Sequence, residues 1–365
     1  MRRLLANLFV AALALLVALA AGELFLRVFR PYELGLWESR RDGLVLLRPG
    51  LDTALAGADH RVRTNDLGLR DVEHSLAKPA GTLRIVLLGD SFMEALQVPF
   101  EESFPNLLAS SLEASGGRPV EVVNAGVSGW GTDDQLTWLH TTGLALEPDL
   151  VLVAMTLHND VSDNLALEWH TFEAGRLRER PRPLLSEPQY LELRAKGFLA
   201  SHFHVYQALA RAWRSRGVRD AAQTLDEHVA GLLAFAPPPQ IELGWELTEA
   251  LLDEMERTAE QGGARLAVFL IPLWIQVEPQ YLEGFLRRHA LPRAALSVGA
   301  PQERMARWGE SRGVPVFDLL PAFAAANAAE GSRLYLERDG HWSAQGHRLA
   351  AEQVAAQLAL RGLAP

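Results

Sequence analysis

A serine that directly follows an apolar run is the first candidate for chemistry. Residues 84–92 read Arg-Ile-Val-Leu-Leu-Gly-Asp-Ser-Phe, a pattern that predicts a buried strand ending at Gly89 and a helix beginning near Ser91. Ligands bind open α/β sheets at the carboxyl edge of the strands, where the positive end of a helix also faces the crevice. Ser91 is therefore a candidate nucleophile, although serine at such a position often only caps a helix.

A histidine with a nearby acid lies close to the C-terminal end of the chain. Residues 334–343 read Leu-Tyr-Leu-Glu-Arg-Asp-Gly-His-Trp-Ser, before a predicted helix over 344–358. A serine hydroxyl becomes a good nucleophile when an imidazole accepts its proton, and the imidazole needs a partner on its other nitrogen. We expect His341 to be that base and Asp339 that partner. The alternative for His341 is a surface loop histidine, and His347 is interpreted as a helix-face residue.

Two further blocks follow predicted strands and carry groups that can stabilise an oxyanion. Residues 124–132 contain three glycines, which let backbone N–H groups approach a substrate oxygen closely. Asn159 follows the next strand along the chain, so its amide can donate from the same edge of the sheet. Each block also has a purely local interpretation, because Asn, Asp and Gly dominate turns.

Short apolar runs separated by helical stretches predict the fold class. Runs without alternation suit strands covered on both faces, and the intervening helices imply parallel crossovers. We predict an α/β fold, a three-layer α/β/α sandwich with a parallel sheet of about five strands. The predicted strands are 83–88, 120–123, 150–155, 266–271 and 314–317.

The interval between the third and fourth predicted strands is too long for one crossover. We expect an insertion, or cap, at about 163–243, with loop-like residues at 178–183. The triple proline at 237–239 ends any helix before it. After it, apolar side chains recur every four residues and predict the helix that returns to the sheet; they are Leu247, Leu251, Met255 and Ala259.

The N-terminus predicts a membrane helix. Arg2 and Arg3 precede an uncharged stretch over 4–22, which at about 1.5 Å per residue nearly spans a hydrocarbon core of roughly 30 Å. We interpret residues 1–28 as a retained signal anchor with a cytoplasmic N-terminus. A signal peptide cleaved after small residues near position 20 is the alternative. Both interpretations export the rest, which we divide into a connecting segment at 29–80, with little core of its own, and a catalytic domain at 81–365.

Composition excludes several classes of protein. The chain of 365 residues has a formal net charge of -10 and no cysteine. Without a basic patch a nucleic acid is a poor partner. Disulfides, thiolate metal ligands and a cysteine nucleophile are excluded outright.

Taken together, the four blocks resemble the SGNH/GDSL hydrolase family, over about 81–361 without the insertion. The resemblance implies a three-layer sandwich and hydrolysis or transfer of ester-linked acyl groups, with no metal and no cofactor. It implies Ser91, Asp339 and His341 as catalytic residues. Oxyanion donors would be Ser91, Gly129 and Asn159. The matching residues are Gly89-Asp90-Ser91, Ser128-Gly129, Asn159-Asp160, and Asp339 with His341.

The chain departs from the family pattern at three places. Phe92 replaces a leucine, Leu157 stands where a glycine usually precedes the asparagine, and Asp339 lies two residues before His341 where three is commoner. The shorter spacing followed by tryptophan is similar to exported proteins that O-acetylate polysaccharides. The anchor together with residues 63–70 resembles membrane-tethered bacterial members.

These observations predict a serine esterase or acyl hydrolase, held by one span in the cell (inner) membrane with its catalytic domain on the periplasmic side. Its substrate would be an acyl ester, an O-acetyl group for example. One alternative is an O-acyltransferase that modifies an envelope polysaccharide, and another is a non-catalytic binding protein on the same fold. A metal-dependent phosphoesterase is a weaker alternative. The residues that suggest it are Asp90, His158, Asp160, His202 and His204.

Overall fold

The computed structural model describes residues 2–32, 34–55, 58–180, 185–214, 226–330, 333–337 and 339–365. Strands in this part of the chain are β1 (Trp37–Ser39), β2 (Val45–Leu47), β3 (Asp52–Ala54), β4 (Arg61–Arg63), β5 (Leu83–Gly89), β6 (Val120–Gly126), β7 (Leu150–Thr156), β8 (His170–Glu173), β9 (Arg176–Glu179), β10 (Arg265–Ile271) and β11 (Val316–Asp318). Helices are α1 (Arg2–Phe29), α2 (Ser91–Glu94), α3 (Phe104–Ala114), α4 (Thr132–Thr141), α5 (Asp160–Asp163), α6 (Glu187–His202), α7 (His204–Arg214), α8 (Pro239–Gln261), α9 (Trp274–Val277), α10 (Pro279–Arg288), α11 (Ala300–Arg312), α12 (Leu320–Glu330) and α13 (Ala344–Leu360).

A five-stranded parallel sheet forms the centre of the domain, with strand order β11-β10-β7-β5-β6. This confirms the predicted fold class. The chain enters the sheet at β5, adds β6 on one side and then β7 on the other, so the strand order reverses at β5. Such a reversal opens a crevice at the carboxyl edge of the sheet. The Ser91, Gly129 and Asn159 blocks follow the three strands that border it.

Successive side chains of the strands alternate between two apolar layers. Val86, Leu88 and Val151 belong to one core, together with side chains of α4, α8 and α11. Ile85 and Leu87 belong to the other, together with side chains of α3, α12 and α13. Each fully buried Val or Leu contributes roughly 1.5–3 kcal/mol. The sheet is therefore covered on both faces, which explains why the strands have no polar side.

The last strand differs from its predicted bounds of 314–317. The N–H of Val314 donates to the carbonyl of Gly309 at 3.0 Å, which closes the end of α11. Gly313, with φ of +71°, provides the left-handed turn for this cap. Pairing with β10 therefore starts only at Val316.

The predicted connecting segment packs on the domain. It forms two antiparallel pairs, β1 with β2 and β3 with β4. Its buried leucines, Leu44, Leu46 and Leu69, belong to the same core as the sheet. At Gly68 φ is +75° and a Cβ would lie 2.4 Å from the Leu47 carbonyl oxygen, so only glycine fits there. The segment thus has no separate core and lies against the site.

Between β7 and β10 the chain forms the antiparallel pair β8–β9 and the helices α6, α7 and α8. Helix α8 begins at Pro239, earlier than the predicted apolar stripe, and the stripe residues Leu251, Met255 and Ala259 are buried as predicted. Because α8 is continuous through residue 243, the predicted end of the cap lies inside a helix. Residues 178 and 179 of the predicted loop belong to β9, whereas 181–184 and 215–225 lie outside the described residues.

Helix α1 is long and apolar enough to cross a membrane. Its most apolar window has a mean hydropathy of 2.6, and no residue of that window is buried in the fold. A signal sequence near the N-terminus passes the same test. Length and composition therefore establish a candidate span.

Candidate active site

Ser91 opens helix α2 directly after the central strand β5. The carboxylate of Asp90 caps the helix by accepting the N–H of Phe92 at 2.9 Å. The side chain of Ser91 is thereby left at the mouth of the crevice instead of serving as the cap. The local interpretation in which Ser91 merely caps the helix is wrong, because Asp90 fills that role.

Two glycines let helix α2 lie close to the sheet. A Cβ on Gly89 would lie 2.5 Å from Cγ of Met93, and one on Gly126 would lie 2.3 Å from Cβ of Met93. Such distances are too short for any side chain, so both strands must end in glycine for Met93 to pack between them. This close packing fixes the position of Ser91 relative to the carboxyl edge of the sheet.

The His341 loop is held by its own backbone and by a buried tryptophan. The N–H of Leu336 donates to the His341 carbonyl at 2.8 Å, and the strand-like residues Tyr335 and Trp342 pair across the loop. Trp342 is fully buried and packs against Phe92, which also contacts the His341 ring at 4.8 Å between centroids. The loop is therefore anchored beside α2.

The structure brings Ser91, His341 and Asp339 together. His341 Nε2 lies 2.7 Å from Ser91 Oγ, and Nδ1 lies 2.8 Å from an Asp339 oxygen. Because a carboxylate only accepts, Nδ1 carries the proton and Nε2 accepts the Ser91 hydroxyl proton. A hydroxyl, an imidazole and a carboxylate are thus joined by two consecutive hydrogen bonds, an arrangement that allows proton transfer from Ser91 to His341.

Asp339 is held in its charged form by its histidine. Burial raises the pKa of Asp339, but hydrogen bonds from the side chain and the backbone N–H of His341 outweigh it and lower the pKa below its usual value. The backbone N–H donates at 2.9 Å to the oxygen that also binds Nδ1. The two-residue spacing therefore permits orientation of the imidazole, since Gly340, with φ of +76°, turns the chain back on itself.

The glycine block lies against helix α2 through Glu94. The Ser128 hydroxyl and backbone N–H both donate to the fully buried Glu94 carboxylate. The next residue, Gly129, has φ of +84°. In the described part of the chain neither the N–H of Ser91 nor that of Gly129 meets an acceptor. Sequence patterns did not identify Glu94, because a lone glutamate three residues after the serine carries no recognisable signal.

Asn159 lies beside the nucleophile turn and is already hydrogen-bonded there. Its Nδ2 donates to Asp90 at 3.0 Å, and its side chain also hydrogen-bonds Asp163. Its Oδ1 is buried and meets no partner among the described residues. The asparagine block is therefore adjacent to Ser91, and its amide is oriented by two acids.

His158 is a neighbour of the triad that the sequence suggested only as a metal ligand. Its ring packs edge-on against Trp274 at 5.6 Å and Phe92 at 6.3 Å. Burial lowers the pKa of His158 to about 4; the Asp90 carboxylate opposes this shift and His341 adds to it. His158 is therefore uncharged at neutral pH and extends the aromatic wall beside His341.

Arg70 connects the segment before the sheet to the nucleophile helix. Its fully buried guanidinium donates to the carbonyls of Glu94, Ala95 and Val98, the last at 2.7 Å. Burial lowers the pKa of Arg70 to about 10, although the acidic side chain of Glu94 opposes the shift. Asn124 also joins this segment to helix α2, because its Nδ2 donates to the carbonyls of Arg70 and Met93.

The residues of the metal hypothesis do not form a ligand set. Asp90 accepts from Phe92 and Asn159. His202 and His204 lie at the junction of α6 and α7, where His204 Nδ1 accepts the N–H of Tyr32 at 3.0 Å. Among the described residues no group of three or more His, Asp or Glu side chains is arranged to hold a metal ion.

Comparison with known proteins finds a family match in the C-terminal part of the chain. Residues 211–364 match the family described as "SGNH hydrolase-like domain, acetyltransferase AlgX". The match includes Asp339 and His341 and begins after the Ser91, Gly129 and Asn159 blocks. With the predicted sheet in place, it confirms the resemblance to the SGNH/GDSL hydrolase family: the protein has an SGNH hydrolase-like fold.

Several solved structures of low identity align with most of the chain. A lipolytic protein of the G-D-S-L family from Desulfitobacterium hafniense DCB-2 is 14% identical, with 75% of this chain and 99% of that one covered and a TM-score of 0.37. A lipase/acylhydrolase from Enterococcus faecalis is 16% identical, with 76% and 96% covered and a TM-score of 0.37. No curated protein matches the chain.

Proposed function

We propose that the protein is a serine esterase in which Ser91 is the nucleophile, His341 the general base and Asp339 the acid that orients it. The observation that carries the proposal is the 2.7 Å contact between Ser91 Oγ and His341 Nε2 at the carboxyl edge of the sheet. A non-catalytic binding protein has no need of such a contact. The substrate class is an ester-linked acyl group.

The proposed reaction has two steps. His341 accepts the proton of Ser91 as Oγ attacks the ester carbonyl, and it returns that proton to the alcohol that leaves. Water then attacks the acyl-enzyme with His341 again as base. Ser91 N–H, Gly129 N–H and the Asn159 amide are the proposed donors to the oxyanion. Both hydrogens of the Asn159 Nδ2 now face carboxylates, those of Asp90 and Asp163, so one of these two bonds must open for the amide to donate to the oxyanion.

The test is covalent labelling with a fluorophosphonate, read by intact mass. We expect one adduct on the parent chain and none on Ser91→Ala. Ser110→Ala, an exposed serine on α3, is the matched control and should label like the parent. Hydrolysis of a small aryl acetate should be lost with the label. Full activity in Ser91→Ala would end the proposal.

We also propose that α1 is retained as an anchor and that the domain lies on the periplasmic side of the inner membrane. Supporting this, α1 packs on the rest of the fold on both sides of the possible cleavage position: Leu16 and Leu19 line a groove together with Leu209 of α7. Cleavage near position 20 would remove both leucines from that groove. Intact mass of the membrane-extracted chain tests retention, and protease shaving of spheroplasts tests the side.

A second candidate is an O-acyltransferase that uses the same residues on an envelope polysaccharide. The family match favours it, because that family's description names an acetyltransferase. In this version a sugar hydroxyl replaces water in the second step. Product analysis with an acyl donor, with and without an acceptor oligosaccharide, separates the two: only a transferase gives an acylated sugar at the expense of free acid.

A further inference from the structure

The apolar helix α1 and the insertion helix α7 are joined at one carboxylate. Glu23 of α1 accepts the backbone N–H groups of His204 at 3.1 Å and Val205 at 2.9 Å. It therefore caps the N-terminus of α7 from another part of the chain. Arg27 holds Glu23 in place through an ion pair of 2.7 Å. The start of α7 is thus fixed at the polar end of α1.

From that point α7 runs back along the apolar part of α1. Val205 meets Gly22, where a Cβ would lie 3.6 Å from Val205 Cγ2. Four residues later, Leu209 lines the same groove as Leu16 and Leu19 of α1. At about 1.5 Å per residue, Leu16 lies about 10 Å along α1 from Glu23. Helix α7 therefore extends alongside the stretch that the sequence assigns to the bilayer.

The two faces of α7 have opposite character. Val205, Leu209 and Trp213 are spaced by four residues and share one face; the side chains of Leu209 and Trp213 are 65% and 78% exposed. On the other face, Gln207 and Arg211 line a cleft that also contains charged residues of the connecting segment and α6. The apolar face is open to its surroundings beside α1.

The end of α6 enlarges this apolar surface. Leu199 and Phe203 line the groove between α1 and α7, and Phe198 lies against Phe203 with 6.1 Å between ring centroids. All three side chains are more than a third exposed. A continuous surface of this kind is unusual on a soluble protein and marks a contact with another apolar phase.

We propose that α7 and the end of α6 lie beside α1 at the periplasmic interface of the inner membrane, with their apolar faces against lipid acyl chains. The proposal rests on the retained anchor proposed above. Lipid is the occupant because the surface continues the exposed face of α1. At Leu209 it reaches about 10 Å along α1 from Glu23, close to the depth of about 5–10 Å to which interfacial helices bury their apolar faces. The insertion is then a second membrane contact that restrains how the domain turns above the bilayer.

The absence of cysteine from the chain makes the test direct. Single variants Leu209→Cys and Trp213→Cys of the full chain are labelled with a polarity-sensitive fluorophore and reconstituted in phosphatidylethanolamine/phosphatidylglycerol vesicles. Leu13→Cys in α1 reports the anchor. Arg211→Cys, on the polar face of α7, and Leu360→Cys, an exposed apolar residue at the end of α13, are the controls. Quenching by spin-labelled lipid is compared with quenching by aqueous iodide.

We expect labels at 209 and 213 to be quenched by the lipid probe to within about twofold of position 13, and labels at 211 and 360 to be quenched mainly by iodide. If the labels at positions 209 and 213 are quenched mainly by iodide, as at position 360, while the label at position 13 is quenched by the lipid probe, the interface proposal is overturned and the anchor stands. Protection from both quenchers means that a second copy or another protein covers the face, which also overturns it. If position 13 is in water, both proposals fall. None of these outcomes depends on esterase activity.

Discussion

The two sides of the proposed triad are supported in different ways. Around Ser91, the neighbouring polar side chains Arg70 and Glu94 are fully buried, and the serine itself begins a helix packed on two strands. Around His341, the loop is short and Asp339 remains 42% exposed. Ser91 is thus fixed by the packing of the domain, whereas the His341 imidazole is oriented by one partly exposed carboxylate.

This difference separates folding from chemistry. Loss of Arg70 removes buried hydrogen bonds and should be seen first as lost stability. A change at Asp339 leaves the core intact and should be seen first as lost turnover. Arg70→Met and Asp339→Asn test this division directly, and Glu94→Gln and His347→Gln have smaller expected free-energy effects.

The largest effect is expected for Arg70→Met. It leaves three buried carbonyls without their donor and Glu94 without its cation, so we expect the free energy of unfolding to fall by about 3–5 kcal/mol. Urea unfolding measures it. Arg61→Met, which removes an exposed ion pair to Asp52, should cost less than about 1 kcal/mol. Equal losses in the two variants would contradict the buried role of Arg70.

Asp339→Asn should reduce kcat by about 10²–10³-fold, or roughly 3–4 kcal/mol in the barrier. The amide no longer fixes the tautomer in which His341 Nε2 accepts the serine proton. Stability should change little, since the side chain is partly exposed. Steady-state kinetics on an aryl acetate measure the effect, and Asp59→Asn, an exposed acid, is the control. If unfolding shifts as much as it does in Arg70→Met, the division between the two sides is wrong.

Glu94→Gln should lower kcat by about tenfold, or about 1.4 kcal/mol, with KM nearly unchanged. The amide keeps the volume but weakens the two hydrogen bonds that hold Ser128 and hence the N–H of Gly129. Glu94 is a positioning residue, so a split between kcat and KM is the informative readout. Trp37→Phe removes the other donor to Glu94, at 3.0 Å, without touching the Ser128 loop. It should leave kcat within about twofold; an equal loss would show a general effect of Glu94 packing.

The smallest effect concerns pH. Burial lowers the pKa of His347 to about 3, and its Nδ1 accepts the N–H of Phe104 at 3.2 Å. An unfolded histidine titrates near 6.5, so between these values the unfolded chain binds one more proton and stability falls as pH falls, by at most about 1.4 kcal/mol per unit. His347→Gln should flatten the slope of unfolding free energy between pH 6.5 and 5.5, a range over which this histidine costs the parent about 1 kcal/mol. His202→Gln, at the exposed end of α6, should leave that slope unchanged.

Much of the fold was predictable because strand burial is a local pattern. Apolar runs over 83–88, 150–155 and 266–271 became neighbouring strands with nearly the same bounds. Apolar residues spaced by four, Leu247, Leu251, Met255 and Ala259, predicted the helix α8 because helical periodicity is also a local pattern. The predicted bounds of β11 were wrong at its start, because Val314 completes the C-terminal cap of α11 instead of pairing with β10.

The residue types of the candidate site could be recognised from the sequence, but the buried residues that hold them in place could not. Ser91 and His341 stood out because each follows or precedes a recognisable element. Arg70 and Glu94 did not, because nothing in the sequence indicates that their partners lie 25 to 34 positions away. The hydrogen bonds of Asn159 to Asp90 and Asp163 likewise could not be predicted from the sequence.

The sequence by itself determined the parallel sandwich, the apolar N-terminal helix and the set of residues able to do acyl chemistry, because periodicity and residue type are local properties. Only the tertiary structure decided that Ser91 meets His341, that Glu94 holds the glycine block, and that α7 returns along α1. Each of those contacts joins residues far apart in the chain. They form because the sheet order reverses at β5 and because one carboxylate, Glu23, caps a helix from another part of the fold.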